Sequence, residues 1–173
     1  MIRLEYFTRK DFEELIRWID TEELMMNWAG GLFNFPLTSE SLEWYISNVN
    51  QPGAEAYVFK VVEEVSGKSV GHISLGSLSQ KNRSGRITRV YIVPEARGRG
   101  ICNIMVRKAA EFGFRELGLH RISLGVYNNN KDAIHCYTKA GFSIEGIMRD
   151  NTFFNGKWYS LVEMSMLEHE FNV

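Results

Sequence analysis

Near the middle of the chain a strand runs into a helix through a turn built on two glycines and two arginines: Val90-Tyr91-Ile92-Val93-Pro94-Glu95-Ala96-Arg97-Gly98-Arg99-Gly100-Ile101-Cys102. A strand–turn–helix of this kind feeds a crossover connection and points to a layered α/β structure. It also makes an anion site. The start of a helix leaves about four backbone N–H groups without intrahelical partners, and the helix dipole adds partial positive charge there. Gly98 and Gly100 allow φ > 0 and a close approach of the backbone to a bulky pyrophosphate. Arg97 and Arg99 add charge beside it. Two other phosphate loops fit poorly. A P-loop needs Lys and then Ser or Thr after its last Gly, where this chain has Gly100-Ile101-Cys102, and a dinucleotide fingerprint needs a third Gly where Asn103 stands.

The rest of the chain supplies the layers. Ile2, Leu4 and Tyr6 alternate with polar neighbours as in a half-buried strand. Thr8 can cap a helix over Lys10 to Ile19, with Phe12, Leu15, Ile16 and Ile19 as its apolar stripe. A second helix covers Ser39 to Asn48. Ala56–Glu63 and Ser69–Leu75 are rich in β-branched and aromatic residues, with Gly67 in the turn between them. Lys81–Gly85 is a polar turn and Arg86–Val93 the next strand. A helix then covers Arg99 to Leu117, with Ile101, Met105, Ala109 and Phe112 inward, Arg107, Glu111 and Arg115 outward, and Gly118 as its stop. His120–Val126 is a strand, and Asn130 caps a helix that ends at Gly141. Two strands, Phe142–Met148 and Trp158–Met166, flank the turn Asn155-Gly156. The order is an α/β arrangement (an α+β mixed sheet) with one parallel step, from the Arg86 strand to the His120 strand.

Length and composition narrow the partners. A chain of 173 residues suits one domain, and 45% hydrophobic with 24% charged residues is ordinary for a soluble protein. A formal net charge of −1 gives no reason to expect nucleic-acid or anionic-membrane binding. No apolar run approaches the ~20 residues that span a bilayer, and the N-terminus does not resemble a signal peptide. The expected location is cytoplasmic. Cys102 and Cys136 lie in no metal-ligand spacing and are expected as two reduced thiols packed as small hydrophobes. The segment from Asp20 to Pro36 combines Asp20, Glu22 and Glu23 with Met25, Met26, Trp28, Phe33 and Phe35 around Gly30-Gly31. It is expected as a surface loop whose acids and aromatics could hold an ammonium group.

A second constellation follows the last core strand: Asn130-Lys-Asp-Ala133-Ile134-His-Cys-Tyr137-Thr-Lys-Ala-Gly141-Phe142. Together the two segments resemble the Gcn5-related N-acetyltransferase (GNAT) superfamily. Arg97 and Gly100 match its (Arg/Gln)-x-x-Gly-x-(Gly/Ala) signature, with Cys102 departing at the last place. The second segment matches its Asn-x-x-Ala-(Ile)-x-x-Tyr-x-x-x-Gly-Phe pattern. The stretch Phe142 to Asp150 with Asn155-Gly156-Lys157-Trp158 and Glu163 to Met166 resembles the RimJ/RimL-type branch.

The resemblance implies a central, mostly antiparallel sheet of about seven strands, splayed between the fourth and fifth and flanked by about four helices. It implies acetyl-CoA as acetyl donor, with no metal. The pyrophosphate would meet the main chain of Arg97, Gly98, Arg99, Gly100, Ile101, Cys102 and Asn103, and the pantetheine arm would meet Tyr91, Ile92, Val93 and Asn130. Tyr137 would return a proton to the thiolate, and a backbone N–H around Ile92 or Val93 would bind the oxyanion. The acceptor would be a small-molecule or peptide amine: a protein N-terminus, a polyamine, an aminoglycoside or an amino acid. Some members carry a basic Glu five positions before the motif Asn, and here that place is Gly125. His72, Glu145, Asp150 or water are the remaining bases. The missing Glu keeps a non-catalytic acyl-CoA sensor as a rival, and either could be a monomer or a homodimer.

Overall fold

The computed structural model describes residues 1–171. Strand β1 (Ile2–Tyr6) pairs antiparallel with β2 (Tyr57–Glu63), β2 with β3 (Ser69–Ser79), and β3 with β4 (Ser84–Ile92). β4 pairs in parallel with β5 (Arg121–Tyr127), and β7 (Lys157–Leu167) lies between β5 and the edge strand β6 (Ser143–Phe154). The seven-stranded order is β1-β2-β3-β4-β5-β7-β6. Asn155 and Gly156, both at positive φ (47° and 74°), make the tight turn between β6 and β7 that their residue types favour.

Alternation along β2 sends its side chains into two cores. Tyr57, Phe59 and Val61 join a cluster under α4 (Ile101–Glu111) and α5 (Lys131–Ala140). Val58 joins a second cluster with α1 (Phe12–Trp18), α2 (Glu22–Ala29) and α3 (Ser39–Tyr45). Helices therefore cover both faces of the β1–β4 half of the sheet.

Five α-helices stand where about four were expected, because the Asp20–Pro36 segment is not a plain loop. Thr21 caps α2 by accepting from Leu24 N–H at 3.1 Å, and Met25, Met26 and Trp28 are buried. Other boundaries also move. The first helix begins at Phe12 after a 3₁₀ turn, and the second ends at Tyr45. The helix expected to reach Leu117 is α-helical only to Glu111. It then widens to a π turn over Phe112–Glu116, in which Leu117 N–H reaches back five residues to Phe112 O at 3.2 Å. β3 extends to Ser79 and β4 starts at Ser84, shortening the turn expected over Lys81–Gly85. β6 runs on to Phe154, beyond the expected Met148.

One join positions everything that follows. β4 and β5 pair only from Ser84↔Arg121 to Ile87↔Leu124, although β4 continues to Ile92 and β5 to Tyr127. Beyond Ile87 the two strands part. β4 also carries a bulge there: between the pairs Ser74↔Thr88 and His72↔Tyr91, two residues, Arg89 and Val90, stand opposite Ile73.

Candidate active site

The turn after β4 has the form its sequence suggests, for a narrower reason. Gly98 and Gly100 take φ of 72° and 74°, and Gly100 is the N-cap of α4. A Cβ at either would meet nothing within 4 Å, so left-handed backbone, and not crowding, requires glycine. Ile104 N–H bonds back to Gly100 O at 3.4 Å. The amides of Ile101, Cys102 and Asn103 before it are thus the free donors of the helix start. Asn103 Nδ2 is buried without a hydrogen-bond partner among the described residues, a donor suited to an anionic ligand. The two arginines are committed elsewhere. Arg97 Nε donates to Ile92 O at 3.0 Å and its guanidinium lies 5.9 Å from the Tyr91 ring centroid, while Arg99 pairs with Glu63. Any anion held here is held mainly by main-chain amides.

The parting of β4 and β5 opens a cleft of about 230 Å³. Its walls are the end of α2 (residues 26–30), residues 86–90 of β4, residues 124–127 of β5, Leu161, Asn130 and Tyr137. Tyr137 is only 6% exposed, and burial pushes its phenol above the ordinary tyrosine range, so it stays protonated. Asn130 Oδ1 accepts from Ala133 N–H at 3.1 Å, capping α5, which leaves its amide nitrogen free of that duty. Of the two oxyanion donors expected, Val93 is excluded: its N–H bonds Val70 O at 3.0 Å. Alternation along an antiparallel ladder turns the N–H of Ile92, opposite Gly71, to the open side. Tyr91 offers only backbone, since its side chain is buried against Trp18 at 5.6 Å. Asp20, Glu22 and Glu23 do not line the cleft, so the ammonium-binding role expected for them is not supported there.

The expected bases fare differently. His72 is fully buried among Phe7, Trp28 and Tyr45, and burial followed by the Arg89 charge lowers its pKa to about 3. It is a neutral core histidine whose Nε2 meets Tyr45 Oη at 3.2 Å, out of reach of an amine. Glu145 binds Arg121 through two contacts of 2.6 Å, which hold its pKa down at about 2, so it is a poor base. Asp150 is exposed on β6 and does not line the cleft. Among the described residues no group of three or more His, Cys, Asp or Glu is placed to hold a metal ion.

Sequence reasoning missed three charged residues. Arg86 reaches across Gly125 to Glu163, with contacts of 2.8 and 2.7 Å. A Cβ on Gly125 would lie 2.4 Å from Arg86 Nη2 and 3.2 Å from Glu163 Oε1, so the place of the missing Glu is filled by this pair. Arg89 sits in the bulge at φ 52°. The signal available in sequence was two arginines spaced by three on a strand that enters a core. The cysteines were misjudged. Cys102 and Cys136 form a disulfide, with Cα atoms 6.2 Å apart, between the first turn of α4 and the residue before Tyr137. Partial burial of both thiols was legible, but their juxtaposition across 34 residues was not.

The site thus brings together a parted β4–β5 pair, free amides at the start of the following helix and a buried phenol on the next helix. Residues 13–142 match the acetyltransferase (GNAT) family, and the chain belongs to it. It is 30% identical over 112 residues to spermidine N(1)-acetyltransferase of Escherichia coli K12, a match covering 65% of this chain and 60% of that protein. It is 27% identical over 127 residues to the L-amino acid N-acetyltransferase AaaT of the same strain, covering 72% and 75%. The chain thus spans under two thirds of the curated spermidine acetyltransferase. In fold it superposes on the Vibrio cholerae spermidine N-acetyltransferase solved with CoA and spermine. The TM-score is 0.85 at 24% identity, covering 98% of this chain and 97% of that one. Among the described residues no helix is long and apolar enough to cross a membrane.

Proposed function

We propose that residues 1–173 form one acetyl-CoA-dependent N-acetyltransferase unit acting on a primary amine. The observation that carries this reading is the buried, protonated Tyr137 on the wall of a cleft beside the open side of β4, whose far end leads into the amide cradle. Family membership and the likeness to spermidine and amino-acid acetyltransferases support it. Gly98 to Asn103 hold the pyrophosphate through backbone amides and Asn103 Nδ2. Tyr91 to Val93 offer main chain to the pantetheine arm, which can take a strand's place beside β4, and Asn130 Nδ2 flanks it.

Acetyl-CoA supplies a thioester carbonyl open to attack by a neutral amine. As the N–C bond forms, the open Ile92 N–H stabilises the oxygen that gains charge. As the C–S bond breaks, Tyr137 donates its proton to the sulfur, and the proton lost by the amine returns through solvent. No side-chain base on the cleft wall is needed for that return. The finer placement in a RimJ/RimL-type branch rests on the β6–β7 sequence and belongs to this proposal.

The test is release of free thiol from acetyl-CoA over polyamines, aminoglycosides, amino acids and N-terminal peptides. Amine-dependent release is expected. Saturable CoA binding with no release for any amine would leave the sensor reading in its place.

A further inference from the structure

The charge of the cleft goes unused in that mechanism. Among the described residues, apart from its tyrosines, the only ionisable side chains on its walls are Arg86 and Arg89, and no carboxylate lines it. Arg86 is neutralised by Glu163. Arg89 has no carboxylate partner among the described residues. Its Nε donates to Tyr45 Oη at 3.0 Å, and its guanidinium lies 4.9 Å from the centroid of that ring. These contacts fix the plane of the group without cancelling its charge, and the terminal nitrogens keep their donors.

The placement is built into the fold. The bulge that sets Arg89 and Val90 opposite Ile73 lies where β4 leaves β5, and a non-glycine residue at φ 52° is held there against its preference. Trp28 fixes the turn by donating its indole N–H to Arg89 O at 3.0 Å. The Arg89 side chain lies on the α3 side of the sheet, whereas Tyr137 enters from α5. An amine positioned for the Tyr137 wall would therefore have its other groups toward Arg89. A polyamine would bring further ammonium groups to an unpaired guanidinium, with no carboxylate on the cleft wall to receive them.

We infer that the acceptor is a primary amine that carries its own carboxylate within a few bonds, a free α-amino acid being the smallest, and that Arg89 selects it. This rests on the acetyltransferase reading. The carboxylate takes the guanidinium fork, the amine faces the thioester, and Trp28 and Met26 supply apolar wall for a side chain. The same chemistry could come from the side chain of a peptide that begins with Asp.

The experiment compares kcat/KM by thiol release for L-leucine, L-leucinamide, a peptide beginning Asp, the same peptide beginning Asn, and spermidine. Leucine should exceed leucinamide by about tenfold or more, and spermidine should be poorer than leucine. The amide's less basic amine is more often neutral near pH 8, so the comparison is weighted against the inference. If the Asp peptide exceeds both leucine and its Asn counterpart, the inference stands with the peptide as source. Arg89→Gln should erase the acid-over-amide ratio, mainly through KM for the acid, and Arg89→Lys should restore part of it. Because the readout is a ratio within one variant, loss of folded protein cancels.

Where the Asp peptide does not exceed its Asn counterpart, leucinamide or spermidine equal to leucine overturns the inference, and so does any acid-over-amide ratio that survives Arg89→Gln, while leaving an acetyltransferase. If no amine releases thiol, the activity reading falls, and calorimetry of leucine against leucinamide on the CoA-loaded protein decides Arg89 alone. Selective leucine binding upholds it and equal binding overturns it.

Discussion

Tyr137 is a phenol kept from ionising by burial. Its raised pKa means the protonated form persists to higher pH than for an exposed tyrosine, whose ordinary value is about 10. Profiles of kcat should therefore show no alkaline loss from this group below about pH 10. A decline with a midpoint in the neutral range that vanishes in Tyr137→Phe would contradict the assignment. Tyr137→Phe should lower kcat by about 10²–10³-fold with little change in acetyl-CoA affinity, checked by steady-state rates beside calorimetry. A second prediction concerns Gly71. A Cβ there would lie 2.4 Å from Tyr91 O, which is backbone and cannot swing aside. Gly71→Ala should cost about 1–3 kcal/mol, read as a lower urea midpoint.

These residues also show what a sequence can carry. Gly98 and Gly100 were legible because a left-handed turn is a local demand. Arg97 and Arg99 were legible as charge but not as partners of Ile92 O and Glu63, the latter 36 residues away. His72 lies on a strand that was read correctly, yet nothing nearby in sequence announces the aromatic box that buries it.

Among the elements, the first turn of α4 is joined to the middle of α5. The Cys102–Cys136 bond ties the cradle to the helix that holds Tyr137, and Arg107 Nη1 donates to Ala140 O at 3.1 Å further along. Such a bond persists in oxidising surroundings and is held open by cytosolic reductants. Closing a loop across 34 residues is worth about 3–4 kcal/mol in the chain-entropy account. Unfolding with and without a thiol reductant should differ by roughly that amount, and Cys136→Ser should behave like the reduced protein in either buffer.

The outer strands have their own tie. Glu145 on β6 receives Arg121 from β5 and Ser165 from the strand between. Its pKa is depressed on folding, so its contribution is complete above the ordinary value of 4.5 and fades as pH falls toward about 2. Glu145→Gln should flatten the acid limb of stability in that window, measured by Tm against pH. Of the elements themselves, strands and long helices were readable from period and punctuation. α2 was overlooked because it is only eight residues long and Gly30-Gly31 suggests a loop, although Thr21 followed by two glutamates is a helix start.

At the scale of the molecule, the parallel step from β4 to β5 follows from the crossover through α4 and so was foreseeable, whereas the place of β7 between β5 and β6 does not follow from it. Nor was the depth of the opening foreseeable, because it depends on where pairing stops. Four pairings alone join β4 to β5. The facing edges of residues 88–92 and 125–127 are then peptide groups without a neighbouring strand. If the pantetheine arm lies there, hydrogen–deuterium exchange should slow on adding acetyl-CoA at those two runs, while β1 to β3 stay as they were. Equal protection everywhere would mean that the ligand sits elsewhere. In mechanical terms the molecule is a split plank with one short glued seam. The substrate would be the shim that fills the split, so stiffness across the plank would rise and fall once in every turnover.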